Sequence, residues 1–215
     1  ATRRVRPYLP DANMRPVELR PGRCLVAFSA FEYRKTDIDP YNEFSVALPI
    51  IFGRPSIPGL DLAAQWARRC VTAYVWHLPV TTEIARVGGV DLYGYPKFVA
   101  DISFDRQPGS LAARLAVGGR EILRLESPVL PTRRGKRTRY VTYSVKDGVP
   151  LVANLYVDPL EYGERWGGGA QLTIGTDHPI CDELGEIELS SRPLMVQYAP
   201  LTEAVLFSPR NLIDH

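Results

Sequence analysis

The sequence predicts a mainly β domain of the α+β class, with a few helices. Three observations carry that expectation. Nineteen prolines and seventeen glycines in 215 residues imply many turns between short elements. Aromatic and β-branched residues are plentiful, and they suit a pleated, half-buried surface. The stretch from Glu43 to Phe52 alternates cleanly. Phe44, Val46, Leu48 and Ile50 share one face, while Glu43, Ser45 and Ala47 share the other.

Length and charge bound the rest. A chain of 215 residues suits one domain, 1–215, with a sizeable core. Twenty-six basic residues against twenty-four acidic ones leave a net charge of +2, so bulk charge predicts no nucleic-acid and no membrane partner. There is no apolar run of about 18 residues, the length a membrane helix needs. The first residues, Ala1 to Arg6, lack the apolar region of a secretion signal. Cys24, Cys70 and Cys181 lie far apart, as neither a disulfide framework nor a zinc site. A reduced, cytoplasmic protein is the expectation.

The elements are expected in this order. Residues 1–22, rich in proline and arginine, read as an N-terminal arm ending at the Pro21-Gly22 turn. Residues 24–33 read as a central strand, apolar on both faces. A polar connection turns at Asp39-Pro40 into the alternating strand 43–52. Residues 60–70 read as a helix with Leu62, Ala63, Trp66, Ala67 and Cys70 on its buried face. Residues 71–78 follow as a strand. Thr81 or Thr82 caps a short helix, 83–87, which Gly88-Gly89 would end. Strands are expected at 98–104, 111–117 and 121–125, then at 140–145 and 151–157. Trp166-Gly167-Gly168-Gly169 is a turn. Residues 170–175 and 186–198 complete the β pattern, and 201–207 form a closing element of open type.

One stretch carries chemistry: Asp91-Leu92-Tyr93-Gly94-Tyr95-Pro96-Lys97-Phe98-Val99-Ala100-Asp101. It sets Lys97 just after an aromatic-Gly-aromatic-Pro turn and just before an apolar run. Such surroundings strip water from an ammonium group. A lysine freed of its proton is a nucleophile and forms Schiff bases with ketones. The plainer alternative is a stem laid on the core with its charge in water. Asp101 would lie about 13 Å along an extended strand from Lys97, out of pairing range. Asp91 stands six residues away across a turn, and nothing in the sequence forces it closer.

Other groupings are weaker. The basic run at Arg133, Arg134, Lys136, Arg137 and Arg139 reads as a solvated loop or a subunit contact. The glycines after Trp166 lead to no helix and no Gly-Lys-Ser/Thr, so they make no phosphate loop. The histidines His77, His178 and His215 have no second histidine or cysteine at ligand spacing. Asp177, His178, Asp182 and Glu183 form the one candidate metal cluster, and no metal is expected there. No Gly-x-Ser-x-Gly elbow is present.

Tyr93-Gly94-Tyr95-Pro96-Lys97 is preceded, in the right order, by Tyr33-Arg34-Lys35-Thr36-Asp37-Ile38-Asp39-Pro40-Tyr41-Asn42-Glu43. Together they resemble the acetoacetate decarboxylase family. The likeness runs thinly from about Arg15-Pro16 to Ser208-Pro209-Arg210, and Gly-Tyr-Pro-Lys is its specific part. The resemblance implies a closed, cone-like antiparallel β-barrel with a few peripheral helices, and a homo-oligomer. It implies Lys97 as the Schiff-base lysine, with Glu43 handling protons and Tyr95, Tyr41 and Phe28 lining the substrate pocket. No metal or organic cofactor is implied, because the lysine's iminium is itself the electron sink. The implied substrate is a small β-keto or 2-oxo acid, and decarboxylation is the implied reaction. An aldolase or dehydratase of pyruvate-like acids using the same lysine is the second reading. A non-catalytic ligand-binding barrel is the third.

The sequence also departs from the family pattern. Phe98 stands where the decarboxylase carries a second lysine. Gly89-Val90-Asp91 replaces Gly-Arg-Glu. Phe28 and Ser29 fall where the family places another glutamate, and an arginine that the family supplies from an upstream segment cannot be mapped onto these residues.

Overall fold

The computed structural model describes residues 1–212. Its chain opens with α1 (Thr2–Val5), a 3-10 turn (Arg6–Tyr8), and the short strands β1 (Met14–Pro16), β2 (Glu18–Arg20) and β3 (Arg23–Cys24). Next come β4 (Ala27–Tyr33), β5 (Tyr41–Phe52), α2 (Leu60–Ala67), β6 (Cys70–His77) and α3 (Glu83–Tyr93). Three hairpin-linked strands follow: β7 (Asp101–Gln107), β8 (Ser110–Val117) and β9 (Arg120–Pro128). The last part holds β10 (Thr138–Lys146), β11 (Val149–Trp166), β12 (Gln171–Ile174), α4 (Pro179–Glu186), β13 (Met195–Leu206) and β14 (Arg210–Asn211).

The mainly β class is what the chain adopts, but the closed barrel is not. Eight strands form an open sheet in the order β1-β5-β6-β10-β11-β13, with β4 also on β5 and β14 also on β11. A second open sheet runs β12-β9-β8-β7, and β2 pairs with β3. The main sheet is not purely antiparallel either, since β6 and β10 run parallel. Among the described residues, no helix is long and apolar enough to cross a membrane.

The alternation read in 43–52 sets the layout. Phe44, Val46, Leu48 and Ile50 are at most 1% exposed and enter the main core. That core also takes Leu115, Ile122 and Leu123 from the second sheet and Ile180 and Leu184 from α4. The opposite face of β5 is free to carry a site. The supposed arm 1–22 is part of this core. Val5, Met14 and Val17 are buried, and β1 pairs with the end of β5.

Several elements differ from expectation for physical reasons. Strand β4 pairs only with β5, so it is an edge strand rather than a central one. Its two apolar faces have two uses: Phe28 and Ala30 pack on the core, while Phe31 and Tyr33 turn to the other side. Helix α2 buries Asp61 and Gln65, not its apolar stripe. Gln65 donates to the Ile50 carbonyl and accepts from the Thr72 amide, and Asp61 accepts from Arg54 and the Ile57 amide. Satisfied hydrogen bonds make that polar burial tolerable. Residues expected as strand from 186 begin inside helix α4, which His178 caps through its ring nitrogen. Of the 201–207 segment, residues 201–206 are the outer half of β13 and Phe207 follows its end.

Helix α3 is the difference that matters most. Thr82 caps it as expected, accepting from the Ala85 amide. Gly88-Gly89 does not end it. The helix runs through both to Tyr93 and stops at Gly94, whose φ of 60° is left-handed. Each interior glycine costs roughly 0.8–1 kcal/mol of helix propensity against alanine. Strand β7 correspondingly starts at Asp101, three residues later than the expected start at 98.

Two of the four residues considered as a metal cluster have other partners in the fold. His178 caps α4, and Glu183 meets His77 across a 2.8 Å contact. Burial pushes the His77 imidazole below its ordinary 6.5, and Glu183 only partly offsets this. An imidazole harder to protonate in the fold than in the unfolded chain contributes stability above pH 6.5, which is lost as pH falls through the folded-state value. The urea midpoint is therefore expected to fall between pH 7.5 and 5.5. A His77→Gln variant should lose less over the same interval, and an equal loss would contradict the assignment.

Candidate active site

Lys97 and Glu43 meet at the free face of β5. The Lys97 Nζ donates to Glu43 Oε2 at 2.8 Å, and each side chain is only 8% exposed. Glu43 arrives there by strand alternation. Its neighbours on β5 and β4 that share its face are Tyr41, Ser45, Phe31, Tyr33 and Ser29.

Lys97 arrives by a different route. The segment around Val80 lies between the two residues as a one-residue-wide spacer. Glu43 bridges Val80 antiparallel, and Val80 bridges Val99 in parallel. The Phe44 amide donates to the Pro79 carbonyl, and the Thr81 amide donates to the Asn42 carbonyl. On the far side the Val80 amide donates to Phe98, and the Ala100 amide donates back to Val80. The turn before Lys97 is equally fixed. Gly94 ends α3, the Tyr95 amide donates to the Gly89 carbonyl, and the Lys97 amide donates to the Tyr95 carbonyl at 2.7 Å. That last bond closes a three-residue turn centred on Pro96, whose ring holds φ near the value such a turn needs.

Tyrosines surround the pair. The Lys97 Nζ lies 5.5 Å from the centre of the Tyr41 ring, and Tyr41 stacks on Tyr33 at 4.6 Å. The Tyr33 hydroxyl donates to Glu43 Oε1 at 3.3 Å, so both carboxylate oxygens are engaged. Burial, and then the negative charge of Glu43, push the phenols of Tyr33 and Tyr41 well up. Burial pushes Tyr95 up to about 12. All three therefore stay protonated at neutral pH. Tyr95 sits one layer away, hydrogen-bonded to Thr142 at 2.7 Å and stacked on Tyr93. A cavity of about 390 Å³ shares Tyr33 and Tyr41 with the site and is completed by Glu32, Arg34, Pro40, Asn42 and Thr81.

Of the residues expected at a site, Lys97 meets both Glu43 and Tyr41, and Tyr95 supports the turn. Phe28 is not with them. It pairs with Val46 and packs on the core, because it has the opposite parity on β4 from Tyr33. Ser29 has the matching parity and faces Ser45. Asp91 and Asp101 are exposed, as Phe98 partly is, and the latter packs on the core and beside His178. Tyr33 and Gly89 were missed as site residues. Tyr33 stood in the quoted motif, and counting back by twos from its partner Tyr41 across the turn would have found it. Gly89 gave only a helix-ending signal.

The site is thus a buried lysine–carboxylate contact of 2.8 Å, walled by protonated phenols, on a mainly β scaffold. The acetoacetate decarboxylase family model matches residues 2–200, and the chain belongs to that family. No curated protein matches the chain. Among solved structures, the acetoacetate decarboxylase from Legionella pneumophila subsp. pneumophila str. Philadelphia 1 is similar over 99% of this chain and 80% of its own, at 13% identity and a TM-score of 0.66. The enduracididine biosynthesis enzyme MppR, complexed with pyruvate, is similar over 99% and 84%, at 17% identity and a TM-score of 0.60. An acetoacetate decarboxylase-like enzyme from Sphingomonas wittichii RW1 is similar over 98% and 86%, at 16% identity and a TM-score of 0.57. At these identities the likeness establishes the shared fold.

Removing one member of a buried ion pair strands the other, which typically costs about 3–5 kcal/mol. Lys97→Met alone is expected to lower unfolding free energy by about that much, and Lys97→Met with Glu43→Gln by clearly less. Urea titration of the two variants tests this, and equal losses would contradict the pairing.

Proposed function

We propose that this chain is a cofactor-independent Schiff-base lyase acting on a small β-keto or 2-oxo acid. The observation that carries the proposal is the 2.8 Å contact between two side chains that are both nearly inaccessible to water. Glu43 takes a proton from the Lys97 ammonium, and the free amine attacks the ketone carbon. The carbinolamine loses water to give an iminium, which draws electrons from the adjacent bond. With a β-keto acid, whose carboxylate sits on the carbon next to the iminium, loss of CO₂ leaves an enamine, Glu43 delivers a proton drawn from solvent to that carbon, and hydrolysis frees the ketone and Lys97. With a 2-oxo acid the carboxylate sits on the iminium carbon itself, so the enamine forms instead by loss of the C3 proton to Glu43. Tyr33 keeps Glu43 oriented by its hydrogen bond, and Tyr41 presents its ring face to the nitrogen. A substituent on the carbonyl carbon would lie over Ser29 and Ser45, which are small and only half-buried.

A second reading keeps the same lysine and iminium but exchanges CO₂ loss for aldol condensation or dehydration. Two observations favour it. MppR, whose solved complexes hold pyruvate and a condensation product of pyruvate and imidazole 4-carboxaldehyde, shares the fold. The family's additional lysine is also replaced by Phe98. The working form is proposed to be a homo-oligomer, since edge strand β13 leaves Leu201, Val205 and Leu206 exposed. The three cysteines are free, which suits a reducing cytoplasm.

Borohydride trapping with a panel of small keto acids, read by peptide mass spectrometry, tests the proposal. A reduced adduct on the Lys97 peptide, absent in Lys97→Ala and at least tenfold weaker in Glu43→Gln, is expected. CO₂ released without an aldehyde partner selects decarboxylation, and product formed only with an aldehyde selects condensation. Absence of any adduct between pH 6 and 9 would overturn both readings.

A further inference from the structure

Two adjacent glycines occupy the middle of α3, and their surroundings differ sharply. A Cβ built on Gly88 meets nothing within 4 Å. A Cβ built on Gly89 would stand 2.3 Å from Lys97 Cδ, 2.6 Å from Cε and 3.2 Å from Cγ. Neither residue has the positive φ that would demand glycine on backbone grounds. The helix thus has a one-residue notch, and the stem of Lys97 fills it.

We infer that Gly89 is a positioning residue for Lys97, an inference that rests on reading Lys97 as the nucleophile. The lysine is held at three points. Its backbone hangs from Gly89 through two successive hydrogen bonds, Tyr95 N–H to the Gly89 carbonyl at 3.1 Å and Lys97 N–H to the Tyr95 carbonyl. Its nitrogen is held by Glu43. Its stem lies against the notch. Four methylenes with free rotation would otherwise let the nitrogen wander, and a reacting group displaced by about 1 Å loses on the order of a hundredfold in rate.

The conflict created by a side chain at 89 falls on the lysine rather than on the fold. The clashing atoms are the far end of a flexible side chain, while the helix is capped at both ends, by Thr82 and by Gly94. A methyl group at 89 therefore displaces the stem, pushes Nζ away from Glu43, and leaves the helix in place. The same substitution at 88 gains helix propensity and touches nothing.

This difference between neighbours supplies the test. Gly88→Ala and Gly89→Ala are made in the wild-type background and again in Lys97→Ala. In the wild type, Gly88→Ala is expected to raise the melting temperature and Gly89→Ala to fall below it. In Lys97→Ala the two substitutions should become equivalent, because the stem that opposes one of them is gone. Brief acetylation with acetic anhydride, quantified on the Lys97 peptide against exposed Lys35, reads the amine without any keto acid. Gly89→Ala should change that ratio at least fivefold, and Gly88→Ala should leave it unchanged. Borohydride trapping of a keto acid that labels the wild type should fall at least tenfold in Gly89→Ala at saturating acid. A stability gap between the two variants that persists without the lysine would overturn the inference, as would equal acetylation ratios. Loss of trapping in every variant, wild type included, with the stability and acetylation results as expected, would leave the notch in place and remove the nucleophile reading.

Discussion

The contact between Lys97 and Glu43 constrains everything near it. Two charged groups at 8% exposure have given up most of their water, and neither stands without the other. Backbone hydrogen bonds bring the two residues within reach of that 2.8 Å contact. Glu43 is fixed by the alternation of β5, and Lys97 by a turn hung from the end of α3, with the Val80 segment bonded between them. A buried pair costs desolvation wherever it occurs. Here the cost is offset by a second hydrogen bond from Tyr33 and by the Tyr41 ring under the ammonium.

The same arrangement links fold to chemistry. From Phe44 to Ile50 one face of β5 is apolar and anchors the core; the other begins with Tyr41, Glu43 and Ser45 and is less completely buried. A strand with a buried core face is held in register, because a slip by one residue would exchange the two faces. The core thereby fixes where Glu43 points. On the opposing side, helix α3 forgoes a side chain at Gly89, and that omission fixes where the Lys97 stem runs. The stability of the scaffold and the placement of the Lys97 nitrogen rest on the same few backbone bonds.

Much of this was legible in the sequence where the signal was local. The alternation of 43–52 showed Glu43 opposite the core residues, and the Tyr-Pro-Lys turn marked Lys97. What was not legible depended on distant partners. Periodicity alone places Phe28 in an apolar strand but says nothing of which face meets the core, and β5 decides that. A glycine pair signals a helix end unless something needs the space, and Lys97 is that something. Asp61 and Gln65 look like the wet face of α2 until the carbonyl of Ile50 and the amides of Ile57 and Thr72 appear as their partners. Barrel closure depends on which strand edges meet, and strand composition carries no such information. The edges of β1 and β13 remain apart in the main sheet.

The central claim is that Lys97 forms a carbon–nitrogen double bond with a ketone. Each passage through that intermediate expels the keto oxygen as water and restores it from solvent. The most direct measurement is therefore the rate of ¹⁸O uptake from H₂¹⁸O into the keto group of a bound keto acid, followed by mass spectrometry. The account expects the wild-type protein to accelerate exchange well above the spontaneous rate and Lys97→Ala to return it to that rate. Spontaneous-rate exchange in the presence of wild-type protein, with the keto acid shown to be bound, would contradict it.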